Sequence, residues 1–283
     1  MKMQWFRCQL FIAILVLTLA VPWLNADDLH APVQPGSNVT FADLLRIIFP
    51  GCHQNKSEPS SMLADTSAPV RHSDGSRNPW DGPLTITGVA SANLQIPSPP
   101  RLLLTFQVDS GRDGGRTNAF ALFKLEPRPV LLDLIDAPGF PDDPGHVVSI
   151  LNLGSQTDAL VYGCNHLNSQ QSYEGSSILY VWGERIKTLS EIGLLSCTGC
   201  NDGDFEQSID ISASKDPERE FNQVEIKVTL KRSADSANSE HRPRRRAYRH
   251  VFSATYRWEP AKHEFTTLSL ELKALQTFNK RNY

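Results

Sequence analysis

No stretch of this chain carries a signature that names a reaction. There is no G-x-S-x-G nucleophile elbow. The acids after Asn201 lack the twelve-residue frame and distal bidentate glutamate of a full calcium loop. Beyond the first two dozen residues no apolar run is long enough to span a bilayer. A surplus of positive charge is missing too: 28 Lys and Arg stand against 31 Asp and Glu, which excludes a general nucleic-acid binder held by phosphate contacts. Cysteines number only five.

What is present begins with a leader. MKMQWFRCQLFIAILVLTLAVPWLNADD places Lys2 and Arg7 ahead of an uncharged apolar run from Leu10 to Ala20, the layout of a secretory signal peptide over residues 1–26. Cleavage is expected after Ala26 or after Ala20. The apolar core is shorter than the ~20 residues of a membrane anchor, and Cys8 precedes it, which is not the position of a lipoprotein cysteine. Loss of Lys2 and Arg7 takes the 28 basic residues to 26 and the net charge to about −5. Some 257 residues then remain of the 283, enough for one large β domain or two modest ones.

The mature chain divides by composition at Pro83. Residues 27–83 open with PGSNVTFADLLRIIFPGC, where Thr40 serves as N-cap, Phe41, Leu44, Leu45 and Ile48 share a helical face, and Pro50-Gly51 stops the run. From His53 the segment is rich in Ser, Pro, Asp and Gly without period and reads as a linker or covering segment. Residues 84–283 form short β-prone runs with turn residues between them, and strands are predicted at 84–90, 102–108, 118–125, 130–136, 146–153, 157–163, 177–183, 185–195, 205–213, 221–231, 247–258 and 263–270. In FNQVEIKVTLKR, Val224, Ile226, Val228 and Leu230 alternate with Glu225, Lys227 and Thr229, so one face of that sheet is expected to be wet. A helix is predicted near 272–278. Three hairpins resemble one another, each with an aromatic two residues before a Leu or Trp: Phe123/Leu125, Tyr180/Trp182 and Tyr256/Trp258. The expected class is all-β and mainly antiparallel, a sandwich or an incomplete propeller-like meander with a short N-terminal helix.

Four cysteines, Cys52, Cys164, Cys197 and Cys200, belong to the mature chain, and export makes disulfides the expectation. Cys164 pairing with Cys197 or Cys200 and Cys52 taking the remaining one is one arrangement; Cys197 closing on Cys200 and Cys52 on Cys164 is the other. The Cys-x-x-Cys spacing also admits a redox centre, but Gly199 and Asn201-Asp202-Gly203 oppose the helix that would activate the first thiol. Cys164, His166, Cys197 and Cys200 have the ligand types of a zinc site. Asp202, Asp204 and Glu206, with Asp210 nearby, have the oxygen ligands that calcium takes. DSGRDGG, from Asp109 to Gly115, is a weaker acidic turn.

The polar stretch NHLNSQQSYEGSS, from Asn165 to Ser177, reads as a long loop between apolar strands, and His166, Asn168, Gln171 and Tyr173 are its candidate binding residues. HRPRRRAYRH carries Arg242, Arg244, Arg245 and Arg246, a basic finger able to meet a polyanion or to lie solvated in a long hairpin. Asn38 and Asn55 head glycosylation sequons. The function these features imply is an exported, non-enzymatic binding or structural module whose ligand surface joins the His166–Tyr173 stretch to the Cys197–Glu206 loop. The alternative is a secreted hydrolase, metal-assisted, drawing on His166, Ser169 or Ser172, and the acids of 202–206.

Overall fold

Central strands such as LLLTF (102–106) and ALVY (159–162) are apolar without alternation, which is how a strand reads when both of its faces are buried. A computed structural model shows where the two faces go; it describes residues 24–25, 28–65, 68–71, 77–80, 83–92, 94, 101–109, 116–137, 143, 145–154, 157–168, 170–198, 204–232 and 246–282.

The elements in order are β1 (Leu24–Asn25), α1 (Phe41–Ile48), β2 (His53–Gln54), β3 (Met62–Ala64), β4 (Pro69–Arg71), β5 (Arg77–Pro79), β6 (Leu84–Ala92), β7 (Arg101–Asp109), β8 (Arg116–Lys124), β9 (Val130–Ala137), β10 (His146–Gly154), β11 (Thr157–Leu167), β12 (Gln171–Trp182), β13 (Arg185–Cys197), β14 (Phe205–Ser214), β15 (Gln223–Arg232), β16 (Tyr248–Glu259), β17 (Glu264–Thr266) and α2 (Glu271–Asn282). They form two mainly antiparallel sheets and no closed barrel among the described residues. Three successive four-stranded meanders run through them: β6–β9, β10–β13 and β14–β17. The last two meanders share one sheet through a single residue pair, Cys197 with Phe205.

The meanders stack face to face. Leu102, Leu104, Phe106 and Val108 of β7, with Ala119, Ala121 and Phe123 of β8, pack against Phe41, Leu44, Leu45 and Ile48 of α1. The alternate residues Leu103, Phe120 and Leu122 turn to the other face and meet Leu160, Tyr162, Leu179, Val181 and Ile186 of the second meander. The far face of that meander, with Val161, Ile178, Tyr180 and Ile192, packs on Val224, Ile226, Val228, Leu230, Phe252 and Trp258 of the third. Three layers of core therefore lie among α1 and the three meanders, with Leu275 of α2 packed into the last of them, an open, propeller-like stack. Each of the three similar hairpins joins the third strand of its meander to the fourth. Trp182 of the second hairpin and Trp258 of the third lie with ring centroids 4.5 Å apart.

The outer face of β15 is wet as its alternation predicts: Val224, Ile226, Val228 and Leu230 are buried, whereas Lys227 is exposed and Glu225 and Thr229 are half-buried. Helix α1 begins with a capping box, Thr40 Oγ1 accepting from the Asp43 N–H at 3.2 Å and the Asp43 carboxylate accepting from the Thr40 N–H at 3.0 Å. The Thr40 hydroxyl also donates to Asp43 Oδ2 at 2.7 Å, and this bond, with the Thr40 N–H, holds the Asp43 carboxyl below its usual pKa. Burial of Leu44 and Leu45 contributes roughly 2 kcal/mol each, against about 1 for the cap, so packing rather than capping holds this helix.

Two polar contacts tie the first meander to the second. Asp133 of β9, buried, accepts from Arg71 Nη2 at 2.6 Å, Arg185 Nη1 at 3.0 Å and the Ile186 N–H at 2.8 Å. Asn118 of β8 donates through Nδ2 to the Tyr162 hydroxyl.

Two expectations are corrected here. The segment read as a linker or covering segment carries strands: β2, β3, β4 and β5 add to the edges of the first sheet. β2 pairs with β3 and β4 with β5 locally, but β3 joins the sheet through β6 and β4 through β9, partners remote in sequence that composition alone does not reveal. The strand predicted at 263–270 stops at Thr266, and Leu270 leads into α2.

Candidate functional site

The polar stretch Asn165–Ser177 is not a long loop. β11 continues to Leu167 and β12 starts at Gln171. Asn168 makes the short reversal: its Oδ1 accepts from the N–H groups of Gln170 at 3.1 Å and Gln171 at 2.8 Å, and its N–H donates to the Gln171 carbonyl at 2.9 Å. One Asx side chain thus closes a tight turn, which lets the flanking polar residues pair as strands.

Pairing then assigns faces. His166 sits opposite Tyr173 and Leu167 opposite Ser172, so His166 and Ser172 project to opposite sides of the hairpin. The His166 ring stacks on Tyr173 with centroids 5.9 Å apart. Tyr173 donates its hydroxyl to Gln171 Oε1, and Gln171 Nε2 donates to the Asn282 carbonyl at 3.3 Å. Asn168, Gln171 and Tyr173 thus spend polar groups on the hairpin itself and on the end of α2.

On the Ser172 side the hairpin end, the end of β13 and the start of β14 enclose an open cleft of about 380 Å³. Its walls carry Asn168, Gln170, Gln171, Ser172, Ser196, Thr198 and Glu206, with Leu167 at its rim. The Thr198 N–H donates to the Gln170 carbonyl at 2.9 Å, so β13 is pinned to the turn. The cleft exists because β13 and β14 separate after one pair. Beyond that pair Gln207 of β14 replaces the missing ladder: its N–H donates to Ser196 Oγ at 3.1 Å, its Oε1 accepts from the Leu195 N–H at 3.0 Å, and its Nε2 donates to Asn279 Oδ1 of α2 at 2.6 Å. Asn279 Nδ2 in turn donates to the Gly193 carbonyl at 2.8 Å. In sequence Gln207 and Asn279 are ordinary polar residues, and nothing local marks them.

The cysteines do not pair as the two arrangements require. Cys52 and Cys164 are free and buried, Cys52 in the layer under α1 and Cys164 beside Gly175. Cys197 is disulfide-bonded, and no described cysteine is its partner. The Cys52–Cys164, Cys164–Cys197 and Cys52–Cys197 bridges are thereby excluded, as are bridges from Cys52 or Cys164 to Cys200. Closure of Cys197 on Cys200 is the surviving candidate pairing; Cys200 itself lies outside the described residues. A free, buried Cys164 and a bonded Cys197 are not the thiolates of the zinc set. Burial pushes the Cys52 and Cys164 thiols up, the Gly175 backbone hydrogen bond opposing it at Cys164.

Among the described residues no group of three or more His, Cys, Asp and Glu side chains converges on a common point. Asp204 and Glu206 are exposed; Glu206 lines the cleft and stands opposite Lys231 of β15. Asp202 and Ser169, as well as the turn from Ser110 to Gly115, lie outside the described residues. So do Arg242, Arg244 and Arg245. Arg246 is exposed at the base of the β15–β16 hairpin, which agrees with the basic finger lying between two strands.

Other clefts occur among the described residues. One of about 450 Å³ lies between the Gly175/Gly193 pair and α2, with Glu191 and Lys280 on its walls. Another, about 570 Å³, runs along the wet side of β16 past Arg219, Arg257, Thr266 and Leu268. No family model, curated protein or solved structure matches this chain.

Proposed function

We propose that the protein is an exported, non-enzymatic binding module that takes a small, uncharged, hydrogen-bonding ligand in the cleft between the Asn168 turn and the start of β14. The observation that supports it is the wall of that cleft, where amides and hydroxyls of Gln170, Ser172, Ser196 and Thr198 meet one carboxylate, Glu206, beside exposed Leu167. Its volume, about 380 Å³, falls in the range of small-ligand sites. Hydroxyl-rich ligands such as short glycans match that donor and acceptor set. Export rests on the leader sequence. A cut after Ala20 would keep the β1 pairing of Leu24 and Asn25 with β6, whereas a cut after Ala26 would remove it.

Of the two serines open to the hydrolase reading, Ser172 faces the opposite side of the hairpin from His166, so that pair offers no nucleophile–base contact; Ser169 lies outside the described residues. A glycan array probed with the mature protein, followed by Gln170→Ala and Glu206→Ala variants, tests the module. Binding lost in both variants at an unchanged melting temperature supports it; an array without a hit, or hits that both variants retain, refutes it.

A further inference from the structure

Large apolar side chains are unevenly exposed on this molecule. Eight are exposed among the described residues: Ile47, Val130, Val148, Leu167, Tyr248, Val251, Leu268 and Leu270. Three of them, Val251, Leu268 and Leu270, belong to one strip. Val251 is on β16, on the same face as Arg249 and Ser253, and the Ser269 hydroxyl donates to the Ser253 carbonyl at 2.7 Å, which lays Leu268 and Leu270 along the same strand. Leu268 is fully exposed at 101 % and Leu270 is 68 % exposed. Scattered exposed leucines need no explanation, but three apolar groups gathered on one edge do.

The same edge is basic. Arg249 stands directly opposite Lys231, a like-charge pairing that costs stability across a ladder. Glu206 flanks Lys231 on its other side, which leaves Arg249 the less compensated of the two. Arg246 is exposed beside them, and the Arg232 guanidinium lies 4.4 Å from the Tyr248 ring centroid. Acids along this edge include Glu271, 3.9 Å from His250, and Glu259 at the far end of β16. Cations next to exposed aliphatic side chains fit a surface that is anionic outside and apolar beneath, because the head groups take the charges and the acyl boundary takes the leucines. A soluble polyanion would use the arginines and leave Leu268 and Leu270 in water.

We infer that the β16 edge, with Arg246, Arg249, Val251, Leu268 and Leu270, docks the protein on the surface of an anionic lipid bilayer. The association is peripheral and reversible, since no helix among the described residues is long and apolar enough to cross. It is independent of the cleft proposed above, whose variants leave this edge intact.

Co-sedimentation of the mature protein with phosphatidylglycerol-containing vesicles and with pure phosphatidylcholine vesicles tests it. Binding is expected to the anionic vesicles alone and to weaken as salt rises. The Arg246→Glu/Arg249→Glu variant should bind roughly tenfold more weakly or worse. The Leu268→Ser/Leu270→Ser variant should lose about tenfold as well, and it should fold normally because both side chains already lie in water. The inference is overturned by no sedimentation with anionic vesicles, by equal binding to neutral ones, or by binding that the leucine variant leaves unchanged. Capture on dextran sulfate in place of vesicles would overturn it too, in favour of a soluble polyanion.

Discussion

Gln207 of β14 and Asn279 of α2 are joined by a 2.6 Å hydrogen bond that closes the split between the second and third meanders. The same Gln207 amide accepts from the buried N–H of Leu195, so it stands in for a backbone carbonyl that a continuous ladder would have supplied. Gln207→Leu would leave that N–H without its acceptor, and a loss of about 2–3 kcal/mol is expected. Asn279→Ala, which leaves the Leu195 contact in place, should cost roughly 1 kcal/mol. Urea denaturation checks both as shifts in midpoint at constant slope.

Asp133 carries the contact between the first and second meanders. Its carboxylate is 2 % exposed and faces two arginines. Asp133→Ala would strand Arg71, 24 % exposed, without its anion and is expected to cost about 3–5 kcal/mol. Arg185→Ala should cost about 1 kcal/mol or less, because that side chain is 52 % exposed and water replaces its partner. The ratio of the two losses, read from thermal melts, separates a buried pair from a surface one.

Gly175 faces Cys164 across β11 and β12, and a Cβ at Gly175 would lie 2.8 Å from the Cys164 sulfur. Gly175→Ala should therefore destabilise by about 1–3 kcal/mol through overpacking. Cys164→Ala in the same chain is expected to recover most of that loss. A double-mutant cycle showing simple additivity would argue against the contact.

Thiol counting tests the cysteine assignment. Denatured, unreduced mature protein should give two free thiols, from Cys52 and Cys164, and four after reduction. Native protein should react slowly at neutral pH, since both thiols are buried and burial keeps them protonated.

Alkaline pH should loosen the layer between the second and third meanders. Burial pushes the Tyr180 hydroxyl from 10.0 up to about 12. The folded state thus holds the proton more tightly than the unfolded chain, so this contribution is whole below pH 10, falls as pH rises and is lost by about 12. Tyr180→Phe should flatten the stability-against-pH slope across that window, measured by chemical denaturation at stepped pH. Tyr162, pushed up further still by its own burial, should leave a residual slope.

Much of the fold was legible in local pattern. Alternation in β15, the Thr40 cap of α1 and the apolar runs of β7 and β11 each depend on neighbours within a few residues, and sequence carries that information directly. The similar hairpins around Phe123, Tyr180 and Tyr256 likewise mark the third-to-fourth strand turn of each meander. Less of the candidate site could be read. His166, Asn168, Gln171 and Tyr173 were recognisable as an unusual polar set, but whether they form a loop or a hairpin turned on one Asn168 side chain folding back onto its own backbone. Polar residues pair in strands whenever such a turn permits, and composition does not distinguish the outcomes.

Composition, period and turn chemistry by themselves determined a mainly antiparallel β chain, its strands from β6 onward and its two helices, because those properties act over short distances along the backbone. Tertiary structure alone decided that β2, β3, β4 and β5 extend the first sheet, that Cys52 and Cys164 stay apart, and that the ladder splits between Cys197 and Gln207. Each of those outcomes joins groups far apart in sequence, where it is the competition among packing partners, not local preference, that selects the neighbour.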